Sequence, residues 1–316
     1  MDFRNQTFFI LGLSASGYAV VERLYSFNAK TYFYEEKENA KTEEYIKKAL
    51  EKNATRVFRE NVYDVISNTD VFVISPGVPI NHELAVFAKR NGKLIIGELE
   101  FGLLSISPSL VAVTGTNGKT TTVTLIDHLL KGGDINSVLC GNVGLPLTTA
   151  IQNYTQESVI VAEVSSFQLE SCSIYPHVSC ILNFTEDHLD RHYSMENYLF
   201  LKRRIFKNQR ESEYTVLNYD DEIVRNLEKE TRAKVIFVST KEKVDGAYCL
   251  NGIIYYKGEE ILTEKDLPLY GLHNLYNVLF AVAVAKIYGV KTCDILFGIK
   301  TFKGVNCIFQ NSYVII

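Results

Sequence analysis

The chain has 316 residues, of which 47% are apolar and 22% are charged. This is ordinary for a soluble globular protein, and the length predicts roughly two domains, each with its own core. The net charge of -4 gives no electrostatic basis for a nucleic-acid partner. The six cysteines show no Cys-x-x-Cys spacing, which argues against a zinc site or a redox pair and indicates reduced thiols. The apolar run at 8–13 is too short for a signal peptide or a membrane span. We therefore expect a cytoplasmic protein without membrane insertion.

In the first third of the chain, apolar runs of strand length alternate with amphipathic stretches. They predict helices at 17–27 and 81–91, the second capped by Asn81, and strands at 7–11, 31–34, 71–74 and 94–96. Strands separated by helices imply a parallel sheet with right-handed crossovers. The segment Ser-Ile-Ser-Pro-Ser at 105–109 breaks this pattern and predicts a domain boundary.

A glycine turn with the spacing Gly-x-Ser-x-x-Gly, at 12–17, joins the first strand to the first helix. A dinucleotide-binding fold holds its pyrophosphate at this place. Ser14 replaces the middle glycine of the nicotinamide fingerprint, which weakens an NAD interpretation. Glu35 and Glu36 end the second strand, where an acid could meet a ribose hydroxyl. This motif alone leaves a diphosphate site and a plain tight turn equally open. The loop at 75–77, on the next predicted strand, favours a ligand crevice.

The elements after the boundary continue the α/β pattern. An Asn251-Gly252 pair between apolar flanks predicts a hairpin over 248–256. The remaining predicted strands are at 110–114, 158–164, 178–181, 214–217 and 234–238, and the predicted helices are at 119–131, 194–208, 273–288 and 292–300.

A second glycine loop, Thr-Gly-Thr-Asn-Gly-Lys-Thr-Thr at 114–121, lies between a predicted strand and a predicted helix. Val113 stands where a strict Walker A motif has its first glycine. The working part remains, because backbone N–H groups of such a loop cradle phosphates, Lys119 neutralises their charge and the Thr120 hydroxyl ligates Mg²⁺. A purely structural turn would not need a lysine followed by threonines at the helix start.

Four further features are less specific by pattern alone. Glu163 ends a strand, where it could ligate a metal or simply be solvated. The loop at 181–192 holds two histidines and three acids, which fits a second metal or phosphate subsite or a polar surface loop. Lys202 is by pattern one more lysine on a solvated basic helix face. Asn274 and Asn277, spaced i,i+3, could read an adenine or cap their helix.

Taken together, these motifs resemble the Mur ligases, in which they occur in the same order. Two further runs belong to the set, Gly-Asn-Val-Gly-Leu-Pro at 141–146 and Glu-Val-Ser-Ser-Phe-Gln-Leu-Glu at 163–170. The second run is typical of the members that add D-glutamate. The resemblance covers nearly the whole chain. It implies a Rossmann-like UDP-sugar-binding domain at 1–107, a central P-loop ATPase-type parallel-sheet domain at 108–301, and a stub of a missing third domain at 302–316.

The resemblance also implies the activity of an ATP-dependent amide ligase in peptidoglycan synthesis. ATP would phosphorylate the carboxylate of UDP-N-acetylmuramoyl-L-alanine, and the amine of D-glutamate would attack the acyl phosphate. The implied catalytic residues are Lys119, Glu163, His188 and Lys202. Thr120 and Glu163 would hold one Mg²⁺, and His188 and Lys202 a second. An ammonium cannot ligate Mg²⁺, so the resemblance implies that CO2 carbamylates Lys202.

The implied binding residues fall into two groups. The ATP group is Gly115, Thr116, Asn117, Gly118, Lys119, Thr120, Thr121, Asn274 and Asn277. The UDP-substrate group is Ser14, Ser16, Glu35, Ser75, Asn81 and Asn142, with Glu35 where an aspartate is more usual. Small-molecule substrates and a monomer are expected.

The end of the chain departs from the family pattern. Residues 302–310 resemble the entry to a third domain but lack its arginine, and the chain stops at Ile316. We expect a truncated chain that cannot complete ligation alone. One alternative is a non-catalytic remnant that binds nucleotide and UDP-sugar. The other, a nicotinamide oxidoreductase, is disfavoured by Ser14 and by the lysine-bearing loop.

Overall fold

A computed structural model describes residues 3–106, 108–142, 144–268 and 271–304. Its first sheet has five parallel strands in the order β3-β2-β1-β4-β5. The strands are β1 (Thr7–Leu11), β2 (Lys30–Tyr34), β3 (Thr55–Arg56), β4 (Val71–Ile74) and β5 (Leu94–Gly97). The helices are α1 (Ala15–Ser26), α2 (Ala40–Glu51), α3 (Val62–Ser67), α4 (Glu83–Arg90) and α5 (Glu98–Leu104). The strand order reverses between β1 and β4, so a crevice opens at the carboxyl ends of these strands.

One predicted helix cap is wrong. Helix α4 begins at Glu83, and its N-cap is His82, whose Nδ1 accepts the Leu84 N–H at 3.2 Å. Two consecutive tight turns, closed by Val78 N–H to Ser75 O and by His82 N–H to Pro79 O, carry the chain past Asn81 before the helix starts.

The second sheet has nine strands among the described residues, in the order β14-β13-β12-β11-β10-β9-β6-β8-β7. They are parallel from β7 to β12, and β13 and β14 add an antiparallel edge. The hairpin at Asn251-Gly252 is confirmed, with the positive φ values, 53° and 75°, that a tight hairpin turn requires. The strands are β6 (Ser109–Thr114), β7 (Ser137–Gly141), β8 (Val159–Glu163), β9 (Val178–Ile181), β10 (Tyr214–Asn218), β11 (Lys234–Ser239), β12 (Gly246–Leu250), β13 (Ile253–Tyr256) and β14 (Glu259–Thr263).

Helices cover both faces of this second sheet. The long helices α6 and α12 pack on one face over the larger apolar cluster, and a second apolar cluster lies on the other face. The predicted helix at 194–208 ends early, at Arg203, and continues only as a 3-10 turn, Arg204–Phe206. The helices are α6 (Lys119–Gly132), α7 (Leu147–Ala150), α8 (Ser166–Ser171), α9 (Leu189–His192), α10 (Met195–Arg203), α11 (Glu222–Asn226), α12 (Leu272–Ile287) and α13 (Thr292–Thr301).

The two sheets meet through α5, which packs against α7. The predicted boundary at 107/108 falls in the short link between α5 and β6, and Ser107 itself lies outside the described residues. Of the predicted stub at 302–316, residues 305–316 also lie outside them. Within the described ranges, no helix combines the length and apolarity needed to cross a membrane.

Candidate active site

The phosphate loop joins β6 to α6 at the carboxyl edge of the second sheet. Gly118 adopts a left-handed φ of 83°, and a Cβ there would lie 2.5 Å from Asn277 Oδ1. Only glycine meets both conditions without strain. The Lys119 ammonium folds back over the loop and donates to Gly115 O at 2.9 Å and Thr116 O at 2.8 Å. Burial lowers the pKa of Lys119. The two carbonyl groups carry no net charge, so a phosphate bound in the loop would supply the counter-charge for Lys119.

Glu163 lies beside the loop because β8 pairs with β6. Its side chain is buried; Oε2 accepts the Thr120 hydroxyl at 2.8 Å and Oε1 accepts from Asn142 Nδ2 at 3.0 Å. A hydroxyl and a carboxylate are hard oxygen donors that suit Mg²⁺. No group of three or more His, Cys, Asp or Glu side chains converges as a metal site in the part of the chain that is described. A Mg²⁺ here would therefore draw further ligands from phosphate and water, as is usual in nucleotide sites.

Lys202 is buried against the same loop, with 1% of its surface exposed. Its Nζ donates to Gly115 O at 2.8 Å, the carbonyl that Lys119 also contacts, and lies 4.5 Å from the ring centre of Tyr198. Burial and the nearby Lys119 charge lower the pKa of Lys202 to about 7. The sequence pattern predicted that Lys202 lies on a solvated basic face of its helix. This prediction is wrong, because α10 turns Lys202 inward while Arg203 stays at the surface.

The loop after β9 holds the apex of the phosphate loop. Asn183 Oδ1 accepts the N–H groups of Thr116 at 3.0 Å and Asn117 at 2.8 Å, and Asn183 Nδ2 donates to Asn117 O at 3.0 Å. The Thr116 hydroxyl donates to Thr185 O at 3.2 Å. Asn183 was not among the predicted site residues, although it follows the strand that neighbours β6. Its position just after β9 was the sequence signal that places Asn183 at the same sheet edge as the phosphate loop.

The two histidines of this loop have different environments. His188 has a left-handed φ of 51°, its side chain is half exposed, and its ring lies 5.0 Å from that of Phe167. His192 is buried and its Nε2 forms a 2.9 Å hydrogen bond with the Ser166 hydroxyl. Burial lowers the pKa of His192. His188 is therefore the one with a ring open to a ligand, and its constrained backbone is typical of functional sites.

A cleft of about 820 Å³ adjoins the phosphate loop, between the ends of β9 and β10 and the start of α12. This volume is within the usual range for small-molecule sites. Asn274 and Asn277 both line it. Asn277 also points under the loop, where its Oδ1 accepts the Thr122 hydroxyl at 3.1 Å. The sequence did not single out Asn218 and Tyr276, which also line the cleft.

The first sheet carries a separate crevice of about 360 Å³ at its carboxyl edge. Ser14, Glu35 and Ser75 line it, as do Lys37 and His82, which the sequence did not single out. Glu35 also closes the glycine turn, because its Oε2 accepts the Leu13 N–H at 2.6 Å and its Oε1 the Lys37 N–H at 2.9 Å.

The other three predicted UDP-site residues lie elsewhere. Ser16 is half-buried in the first turn of α1, and Asn81 is exposed and outside the crevice lining. Asn142 belongs to the second sheet, where it contacts Glu163.

The phosphate loop, the Thr120–Glu163 pair and the adjoining cleft, together at one edge of a parallel sheet, define an enzyme that uses a nucleoside triphosphate. The model of the Mur ligase middle domain matches residues 113–285, which is more than half of the chain. The chain belongs to the Mur ligase family, the ATP-dependent ligases of peptidoglycan synthesis.

Relatives in the same family align along almost the whole chain. The UDP-N-acetylmuramoylalanine–D-glutamate ligase of Thermoanaerobacter sp. (strain X514) is 38% identical over 311 residues, covering 96% of this chain and 68% of that protein. The enzyme of the same name from Clostridioides difficile (strain 630) is 37% identical, covering 96% of this chain and 69% of that protein.

Solved structures confirm the fold. The UDP-N-acetylmuramate:L-alanyl-gamma-D-glutamyl-meso-diaminopimelate ligase of Neisseria meningitides matches with a TM-score of 0.66 and 14% identity, covering 95% of this chain and 99% of that chain. The UDP-N-acetylmuramate–alanine ligase of Thermotoga maritima matches with a TM-score of 0.58 and 21% identity, covering 95% and 69%.

Proposed function

We propose that this chain acts in the ATP-dependent addition of D-glutamate to UDP-N-acetylmuramoyl-L-alanine. The observation that carries the proposal is the convergence of Lys119 and Lys202 on one loop carbonyl beside the Thr120–Glu163 pair. The amino acid is inferred from the relatives named for D-glutamate, which align over 96% of the chain.

In the first step, a carboxylate oxygen of the UDP substrate bonds to the γ-phosphorus of ATP while the bond from that phosphorus to the ADP oxygen breaks. Negative charge spreads over the phosphoryl oxygens. Lys119 would leave its two carbonyl partners and neutralise this charge, and the loop N–H groups would orient the phosphates. In the second step, the nitrogen of D-glutamate bonds to the acyl carbon and loses a proton as phosphate leaves. Because the chemistry depends on charge and alignment, the role of the protein is mainly to position the groups.

Thr120 and Glu163 would hold one Mg²⁺, which when bound neutralises phosphate charge. A second ion between His188 and Lys202 requires a change at the lysine. The Lys202 ammonium would lose one proton, and the neutral nitrogen would then bond to the carbon of CO2 and lose a second proton. A cation would thereby become an anionic oxygen ligand. Support comes from the burial of Lys202 and from its hydrogen bond to a backbone carbonyl, Gly115 O, rather than to a counter-charge. Thr121 and the two asparagines of α12 would complete the nucleotide site.

The crevice of the first sheet would bind the uridine diphosphate through Ser14, Glu35 and Ser75, with Ser16 in the adjacent helical turn. Asn142 would meet the far end of the substrate beside Glu163, and a role for Asn81 would require a ligand that extends beyond the crevice. This assigns 1–107 to UDP-sugar and 108–301 to ATP. A monomer in the cytoplasm is part of the same proposal. The free thiols of the five described cysteines support the reducing compartment.

Thermal unfolding with separate ligands tests the proposal. UDP-N-acetylmuramoyl-L-alanine should raise the melting temperature more than UDP-N-acetylmuramate, because it adds the contacts of the alanyl carboxylate. NAD should leave the melting temperature unchanged. A ligand at 100 times its Kd stabilises the native state by about 2.7 kcal/mol. Stabilisation by NAD and not by either UDP ligand would contradict the proposal.

Incorporation of radiolabelled D-glutamate with ATP and Mg²⁺ then separates ligation from binding alone.

A further inference from the structure

Arg191 connects the two sheets at the point where their sites approach each other. It lies in α9, three residues after His188. Its guanidinium donates to Glu170 Oε2 at 2.6 Å and to the carbonyl oxygen of Val78 at 3.3 Å. Glu170 belongs to α8 of the second sheet, whereas Val78 lines the crevice of the first sheet. One side chain, three residues after His188, therefore joins the crevice wall to α8.

A stack of rings continues from Arg191 to Lys202. The Arg191 guanidinium carbon lies 4.8 Å from the ring centre of Phe167, whose ring is 5.2 Å from that of His192. The His192 ring stacks on Tyr198 at 5.0 Å and 12°, and Tyr198 lies under the Lys202 ammonium. We call Phe167, His192 and Tyr198 the ring stack. Phe167 also touches His188, so both proposed ligands of the second ion contact this stack.

The Arg191 guanidinium is a largely buried charge with few partners. Its side chain is 17% exposed, and its Nε is buried without a hydrogen-bond partner among the described residues. Its counter-charge is Glu170, which is 13% exposed. Both hydrogen bonds leave the same nitrogen, Nη2, while the guanidinium lies over the ring of Phe167. A lysine ammonium has no planar group to stack on that ring. The bond to Val78 therefore depends on how the crevice turn sits relative to α8 and α9.

We propose that Arg191 is a positioning residue that couples occupancy of the UDP crevice to the nucleotide site. A ligand that fixes the turn around Val78 fixes the Arg191 guanidinium, which holds α9 and the ring stack in one arrangement. His188 and Lys202 are then held in place for Mg-nucleotide. This inference rests on the proposed function, because it takes the crevice ligand to be the UDP substrate.

Calorimetry on the full chain measures this coupling directly. The affinity for UDP-N-acetylmuramoyl-L-alanine is measured with and without a saturating non-hydrolysable ATP analogue and Mg²⁺, and the reverse titration must give the same factor. For the wild type we expect a factor of about five or more. Arg191→Lys and Arg191→Ala should each bind either ligand alone within about twofold of the wild type, with a coupling factor below about two.

The matched control is Arg59→Ala, which removes an exposed ion pair with Glu83 at 2.5 Å on the first domain and should keep the full coupling. Glu170→Gln, which retains the shape of the side chain, serves as a second test if Arg191→Ala does not fold, and it too should reduce coupling. A purely structural ion pair would lower the melting temperature and leave the coupling factor unchanged.

The outcomes separate this inference from the proposed function. If the wild type binds both ligands but shows no coupling, or if both Arg191 variants keep it, the inference is wrong and the proposed function stands. If the wild type does not bind the UDP substrate, the proposed function fails, and the inference fails with it.

Discussion

At the scale of single residues, the most informative position is a lysine buried beside another lysine. Lys202 and Lys119 donate to the same Gly115 carbonyl. Two positive charges that share one acceptor oxygen disfavour each other, and burial disfavours the charged form of both lysines. The site is therefore unfavourable for two ammonium groups and favourable for anything that adds negative charge, such as phosphate or a carbamate.

Lys202 should accordingly react with CO2. With ¹³C-labelled bicarbonate, we expect one carbamate resonance at neutral pH that is lost in Lys202→Ala and kept in the control Lys207→Ala, which removes an exposed lysine. Because burial and Lys119 lower the pKa of Lys202 to about 7, the reactive neutral amine declines as the pH falls below 7, and the resonance should weaken. A carbamate resonance of equal size in Lys202→Ala would assign it to another amine.

The predictability of the site also differs from residue to residue. The phosphate loop could be predicted because Lys119 and Thr120 have fixed roles at fixed spacing after a strand. The burial of Lys202 could not, since a basic helix gives no sign of which face meets the protein. The role of Arg191 depends on contacts with α8 and with the first domain, and no local pattern encodes such contacts.

At the scale of elements, the phosphate loop is supported by the packing of α12 against α6. The two helices pack closely against each other. Asn277 of α12 contacts Thr122 of α6 and fills the space beside Gly118. The start of α12 therefore sets the shape of the loop as well as one wall of the cleft.

Gly118→Ala should damage this arrangement. The new methyl group would lie 2.5 Å from Asn277 Oδ1 at a φ of 83°, and strain of this kind costs about 1–3 kcal/mol. We expect a corresponding loss in the free energy of unfolding by urea, and weaker binding of Mg-ATP. The matched control is Gly132→Ala at the other end of α6, where a Cβ meets nothing within 4 Å. Its stability should be unchanged or higher by up to about 1 kcal/mol. Equal effects of both substitutions would contradict the argument.

The fold was more predictable than the site, for reasons visible in particular elements. The buried strand β4, and β1 from Phe8 onward, are continuous apolar runs, which single-sequence patterns detect well. The edge strand β7 (Ser137–Gly141) was missed because it begins and ends in small residues. Strand β14 begins with two exposed glutamates, so its sequence resembles a loop. Its strand conformation depends on pairing with β13.

At the scale of the whole molecule, the two sheets are joined across a buried carboxyl group. Glu98 of α5 is 1% exposed; its Oε1 accepts the Thr148 N–H of α7 at 2.7 Å, and its Oε2 has no hydrogen-bond partner in the described ranges. Burial raises the pKa of Glu98. The folded chain therefore binds this proton more tightly than the unfolded chain. The resulting stability is fully present below the unfolded pKa of about 4.3 and is lost as pH rises through the folded pKa.

Glu98→Gln should flatten this pH dependence. The amide keeps an acceptor for Thr148 but has no charge to bury. The melting temperature of the variant should therefore fall less than that of the wild type as the pH rises from about 5, just above the unfolded pKa, to about 8. Glu157→Gln, which changes an exposed carboxylate, is the control and should follow the wild type. Parallel melting curves for all three proteins would mean that Glu98 is ionised at no cost in the folded chain.

The position of β6 between β8 and β9 determines when the nucleotide site can form during synthesis. The first sheet closes within residues 7–97, so it can fold while the rest of the chain is still being made. Strand β6 has no neighbour until β8 and β9 emerge, and the loop lacks Asn277 until α12 follows. At the usual rate of protein synthesis, roughly ten to thirty seconds separate the emergence of Lys119 from that of Asn277. Strand β6 itself gains both neighbours earlier, once β9 has emerged. Until then an apolar strand is exposed to aggregation and is a natural target for a chaperone.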